Sequence, residues 1–189
     1  MQLDGLKVAV LVTDGYEPSE LTEPMRALRD AGAEPVIVSD HDGTIQGKTE
    51  ADTATVDLTL ESASADDYGA LMLPGGVKNP DTMRQNAKGV AFVRHFADAG
   101  KPIAAICHAP WLLVEADVVR GRRITSYPSL KTDLRNAGAE WVDEEVVTDQ
   151  GIVTSRTPKD LPAFNEMMIE EFAEGTHPRA TAGSSANRA

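Results

Sequence analysis

A chain of 189 residues, 41% hydrophobic and 25% charged, is long enough to bury the core of one domain and has an ordinary globular composition. Its net charge of −12 argues against nucleic acid as a partner, because neutralising phosphates takes clustered Lys and Arg and no basic stripe is present. No basic segment followed by a long apolar stretch opens the chain, and the longest apolar runs fall far short of the ~20 residues a membrane helix needs, so a cytoplasmic protein with no membrane attachment is expected.

Residues 7–13 (KVAVLVT) form a short, near-continuous apolar run, the pattern of a parallel strand buried on both faces, and end at the turn Asp14-Gly15. A helix follows: Pro18 suits a first helical position, acids cluster around it, and Leu21, Met25 and Leu28 fall at helical spacing before Ala31-Gly32. Residues 34–39 read as the second strand. Residues 40–60 are less regular, with turn signals at Asp42-Gly43 and Gly47 and a β-branched stretch at 53–56, which points to a small hairpin or excursion. The strand at 70–73 ends at Pro74-Gly75-Gly76. Helical pattern resumes at Asp81, breaks at Gly89 and continues to about Ala99. Another strand, 103–106, leads into a helix over 108–114. Short strands are expected at 123–125, 141–142, 146–148 and 152–154, with a helix near 129–137 among them and a last helix over 161–172. From Gly175 the composition turns to Thr, Ala, Ser, Gly and Asn, which predicts one domain over residues 1–174 and a disordered tail over 175–189.

This alternation of strand and helix predicts an α/β fold, a mostly parallel central sheet with helices on both faces. Ligands in such sheets bind beyond the carboxyl ends of the strands. Four strand-end segments should therefore converge: residues 14–20, Pro74-Gly75-Gly76, Cys107-His108-Ala109-Pro110, and Ser155-Arg156-Thr157-Pro158.

Cys107 is the single cysteine, so an intrachain disulfide and a thiolate-rich zinc site are both excluded. A lone cysteine is ordinarily a small core hydrophobe. Here it follows an apolar strand, opens a helix and precedes the small Ala109, the mechanics of a nucleophile elbow, where helix N–H groups lower a thiol pKa. His108 is either a general base or a histidine packed at a helix start, since adjacent side chains often point apart. His41, His95 and His177 read as solvated. Glu17 and Glu20 suit a helix N-terminus electrostatically. Alternatively one of them points into the crevice, where burial would raise its pKa and let it donate a hydrogen bond to sulfur. Gly75 and Gly76 form a turn, or let backbone N–H groups approach a reacting carbon as an oxyanion hole with the His108 N–H.

Taken together, DGYEPSEL (14–21), LMLPGG (71–76), PIAAICHAPWLL (102–113) and GIVTSRTPKDLPAF (151–164) resemble the ThiJ/PfpI family, named for an intracellular protease, of the class I glutamine amidotransferase-like superfamily. The resemblance spans residues 7–172 and implies a flavodoxin-like three-layer sandwich. It implies Cys107 as nucleophile, Glu20 as the carboxyl contacting its sulfur, His108 as base, and the Gly76 and His108 N–H groups as oxyanion donors. Asp81 would orient His108 from a neighbouring subunit of a homo-oligomer, a dimer or hexamer. Gly75, Glu17 and Arg156 take supporting places. The implied activities are deglycase or glyoxalase-like chemistry on small reactive carbonyls and glycated amines, cysteine peptidase action on peptide or protein substrates, or a redox-sensor or chaperone role through Cys107 oxidation. None of them calls for a metal or an organic cofactor.

Overall fold

The structure, a computed structural model, describes residues 2–177. In chain order the elements are β1 Lys7–Leu11, α1 Pro18–Asp30, β2 Glu34–Ser39, β3 Thr44–Gln46, β4 Thr53–Thr55, β5 Leu58–Thr59, β6 Ala70–Leu73, α2 Lys78–Met83 and α3 Ala87–Asp98. There follow β7 Ile103–Ile106, α4 Pro110–Glu115, β8 Arg123–Ile124, α5 Lys131–Asn136, β9 Glu140–Trp141, β10 Val146–Asp149, β11 Ile152–Ser155 and α6 Leu161–Glu174.

Seven strands form the central sheet in the order β10-β11-β7-β6-β1-β2-β5. All neighbours are parallel except the edge pair β10 and β11. The central strands are apolar along their whole length because both of their faces are covered. Val8 and Val10 of β1, with Ala104 and Ile106 of β7, pack on α1 and α6 through Leu21, Met25, Leu28, Phe164 and Met168. Their alternates Ala9, Leu11, Ile103 and Ala105 pack on α3, α4 and α5 through Phe92, Phe96, Leu112 and Leu134. This period-two division between two cores makes the three-layer sandwich.

The segment at 40–60 does contain a hairpin: β3 and β4 pair antiparallel, Thr44 opposite Thr55, and β5 then extends the edge of the main sheet. The break between the two middle helices lies earlier than Gly89. Asn86 caps α3 by accepting from Lys88 N and Gly89 N at 3.0 and 3.2 Å, and Gly89 sits inside that helix, where a Cβ would lie 2.7 Å from Met83 Sδ. The chain's end also departs from expectation. Residues 178–189 of the expected tail lie outside the described residues, but Gly175 to His177 fold back, and the His177 N–H donates to Gly100 O at 2.8 Å.

Candidate active site

The strand order reverses around β1, whose neighbours are β2 on one side and β6 on the other. The crevice expected at such a switch point opens beyond the carboxyl ends of β1, β6 and β7. It is a cleft of about 760 Å³ whose lining includes Glu17, Glu20, Gly76, Cys107, His108 and Tyr127. The β3–β4 hairpin forms one wall: Gly15 N donates to Gln46 O at 2.7 Å, Gln46 N donates to Asp14 Oδ1 at 2.8 Å, and Lys48 reaches Glu17 at 3.5 Å.

Cys107 follows β7 directly with φ +65°, a left-handed conformation rare for a residue with a side chain. Three hydrogen bonds hold it there: Cys107 N to Ser155 O at 3.1 Å, Tyr127 N to Cys107 O at 2.9 Å, and Ala109 N to Ile106 O at 3.0 Å. The sulfur is thus presented to the cleft at a strained elbow between strand and helix, with the residue 7% exposed.

His108 Nδ1 lies 3.1 Å from Cys107 Sγ, and Nε2 lies 3.3 Å from Ser129 Oγ. Tyr127 stacks on the imidazole with ring centroids 4.6 Å apart, and Trp111 packs against it at 5.2 Å. Burial holds the imidazole pKa below its ordinary value. Burial thus favours the uncharged imidazole, and its Nδ1 faces the thiol.

The Glu20 carboxyl, on the first turn of α1, is fully buried (0% exposed). The groups facing it are the Cys107 thiol and the N–H groups of Gly76 and Gly75. Neither of its oxygens completes a hydrogen bond of ordinary geometry. Burial raises its pKa to about 7, and the nearby Glu17 adds to the rise. The sulfur departs from the low pKa expected at a helix start: burial, then the Glu20 charge, push the thiol up to about 12, against the lowering effect of the Gly76 and His108 N–H groups. Two buried acids in contact do not both ionise readily. A thiolate is compatible with this site only while Glu20 keeps its proton, which removes the charge that opposes ionisation.

Gly75 allows this approach. A Cβ there would collide with the Glu20 carboxyl and lie 2.5 Å from Cys107 Cβ and 2.7 Å from Ile106 O. Gly76 has φ +83°, and a Cβ would lie 2.5 Å from Gly15 O. The turn is clamped by buried Asn79, which accepts from Thr13 N at 2.8 Å and donates to Pro74 O and Gly75 O at 2.9 and 3.0 Å.

Cys107, His108, Glu20, Glu17, Gly75 and Gly76 therefore converge as expected. Two expected residues do not join them within the chain. Arg156 is absent from the lining of the cleft: its guanidinium is held by Asp160 at 2.9 and 3.0 Å and by Asp143 at 2.8 Å, which raise its pKa further. Asp81 pairs with Arg84 at 2.8 Å with its side chain 46% exposed, and Arg84 in turn lies 4.5 Å over the Trp111 ring. Among the described residues, the group on His108 Nε2 is Ser129. Sequence reasoning missed Ser129, Tyr127 and Asn79; the Tyr127-Pro128-Ser129 loop after a short strand is the signal that could have drawn attention to the first two.

The profile of the DJ-1/PfpI family matches residues 6–171. The chain is 46% identical over 161 residues to protein/nucleic acid deglycase 2 of Escherichia coli, covering 84% of this chain and 93% of that protein. It is 44% identical over 163 residues to general stress protein 18 of Bacillus subtilis, covering 85% and 94%. Among solved structures, Drosophila melanogaster DJ-1β superposes with a TM-score of 0.82 at 29% identity, covering 89% of this chain and 91% of that one.

Proposed function

This chain belongs to the DJ-1/PfpI family, and on that premise we propose that it is a stress-response enzyme whose Cys107 attacks reactive carbonyls and early glycation adducts of amines. The observation that carries the reading is the 3.1 Å contact between a clamped, left-handed Cys107 and a neutral His108. It supplies a nucleophile and a base in one cleft.

The chemistry follows from the groups present. His108 Nδ1 takes the thiol proton as Sγ adds to the aldehyde carbon of methylglyoxal, free or regenerated when a hemiaminal adduct expels its amine together with the hemiaminal O–H proton, and returns that proton to the new alkoxide. The carbonyl oxygen gathers negative charge where the Gly76 and His108 N–H groups can donate to it. His108 then carries the C–H proton of the former aldehyde carbon to the neighbouring carbonyl carbon, while the hydroxyl proton passes to that carbonyl's oxygen. The first carbon is oxidised to a thioester, the second is reduced to an alcohol, and no outside oxidant is needed. Water cleaves the thioester to lactate and returns the thiol. Neutral Glu20 would hold the sulfur through its O–H and keep a second negative charge out of the site.

The test is release of both free amine and lactate from methylglyoxal-treated N-acetyl-lysine. Wild type should release both and Cys107→Ser neither. A Cys107→Ser variant that releases them at the wild-type rate would remove the proposal.

One observation favours a second reading, a peptidase completed by a neighbouring subunit. The outer nitrogen of His108 meets a hydroxyl, Ser129, while Asp81 stands exposed on the surface. In that arrangement Asp81→Asn would abolish cleavage of a fluorogenic peptide, and so would dissociation of the oligomer.

A further inference from the structure

At the opposite end of the sheet from Cys107, the end of α6 gathers three side chains that the cleft does not use. Glu171 is 4% exposed. Its Oε1 and His177 Nε2 are in direct contact, yet neither atom completes a hydrogen bond of ordinary geometry. Glu174 Oε2 lies 4.0 Å from the same imidazole nitrogen. One donor atom from each of the three residues falls within 4.8 Å of the others.

The sequence builds this cluster in two steps. Glu171 and Glu174 are three apart on a helix and so share a face. The helix then stops at Gly175, whose φ of +80° turns the chain back. The His177 N–H donates to Gly100 O at 2.8 Å, which fixes the backbone, and the ring packs where a Cβ on Gly151 would lie 3.2 Å from His177 Cδ2. His177 also lines an open cavity of about 360 Å³, which admits solvent and whose wall carries both acids (Asp98, Asp117) and bases (Arg94, Lys101, Arg120, Arg122).

An imidazole beside two carboxylates is a donor set for a borderline ion rather than for calcium or magnesium, which take oxygen ligands.

We propose that Glu171, Glu174 and His177 bind one divalent transition-metal ion of the zinc class, which ties the end of α6 and the segment after it to the loop at Gly100. Its consequence is stability rather than catalysis.

The full chain, freed of metal, is titrated with cobalt chloride by visible absorbance and with zinc chloride by calorimetry and thermal melting. Cys107→Ser is run alongside, because a thiol would otherwise compete for the ion. The expected result is one equivalent bound, with a rise in Tm, in both wild type and Cys107→Ser, and affinity lower by at least about tenfold in His177→Ala and Glu171→Gln. Glu174→Gln, a surface change, should weaken binding without touching the core, and so serves even where Glu171→Gln fails to fold. No uptake by Cys107→Ser, or uptake undiminished by His177→Ala and Glu174→Gln, overturns the proposal and leaves a simple ion pair between Glu171 and His177.

Discussion

His108 Nδ1 stands 3.1 Å from Cys107 Sγ although the two residues are neighbours in the chain. In extended backbone their side chains would point to opposite faces. The left-handed turn at Cys107, φ +65°, brings them together, so the strain at the elbow is also what pairs nucleophile with base. His108→Ala should therefore lower kcat for lactate formation by about 10²- to 10⁴-fold with Cys107 still present and the fold intact. Circular dichroism with steady-state kinetics checks this. A variant that keeps more than a tenth of wild-type activity would put the base elsewhere.

Ser129 Oγ is the group at His108 Nε2 among the described residues. Removing one hydrogen bond that orients the ring is expected to cost about 1 kcal/mol, or roughly a fivefold to tenfold loss of kcat, in Ser129→Ala. Asp81→Asn is expected to cost less, since its carboxyl is engaged with Arg84. The ratio of the two losses, measured on the same substrate, decides which residue orients the imidazole. A larger loss in Asp81→Asn would move that role to an acid from a neighbouring subunit.

Glu20 carries a pH signature. Its pKa is about 7 in the folded protein against 4.5 for the free group, chiefly through burial. Folded protein therefore holds a proton that the unfolded chain has already released. The stability this gives is fully present at low pH and is lost as pH rises through about 7. Glu20→Gln, neutral at every pH, should lack this loss. The difference in unfolding free energy between variant and wild type should grow in the variant's favour by on the order of 3 kcal/mol between about pH 4 and about pH 8. Denaturant melts across that range check it, and a difference independent of pH would mean that Glu20 is not buried neutral.

The turn after β6 should tolerate little. Gly75→Ala drives a methyl group into the Glu20 carboxyl and the Cys107 Cβ. A loss of about 1–3 kcal/mol is expected, together with loss of activity as the Gly76 N–H is displaced. Asn79→Ala leaves Thr13 N, Pro74 O and Gly75 O without partners and should cost about 1–3 kcal/mol. Thermal melts measure both. Gly75→Ala with wild-type Tm and rate would show that the close approach is not needed.

The parts of the molecule governed by local pattern were readable in advance. The strands at residues 7–13, 70–73 and 103–106 announce themselves as unbroken apolar runs because both of their faces are covered, and their ends, at Asp14, Pro74 and Cys107, are where the cleft lies. Features that depend on tertiary placement were not. Arg156 was expected near the site from its strand-end position, but Asp160 one helical turn on and Asp143 across the loop hold it. Ser129 reaches His108 only because the chain folds back over 21 residues. The thiol was expected to be acidic from its place before a helix, whereas burial and a neighbouring carboxyl outweigh that effect. His177 looked solvated in a polar tail, since nothing in the local pattern shows that Glu171 waits at the end of α6.

The central claim is that the reacting carbon is carried on the Cys107 sulfur. The direct measurement is the mass of the peptide containing Cys107, isolated after turnover of methylglyoxal is stopped in acid. One methylglyoxal-derived group is predicted on that peptide in wild type and none in Cys107→Ser, which should form no lactate. Wild type that releases lactate without ever carrying the group, or Cys107→Ser that releases lactate at the wild-type rate, would contradict it.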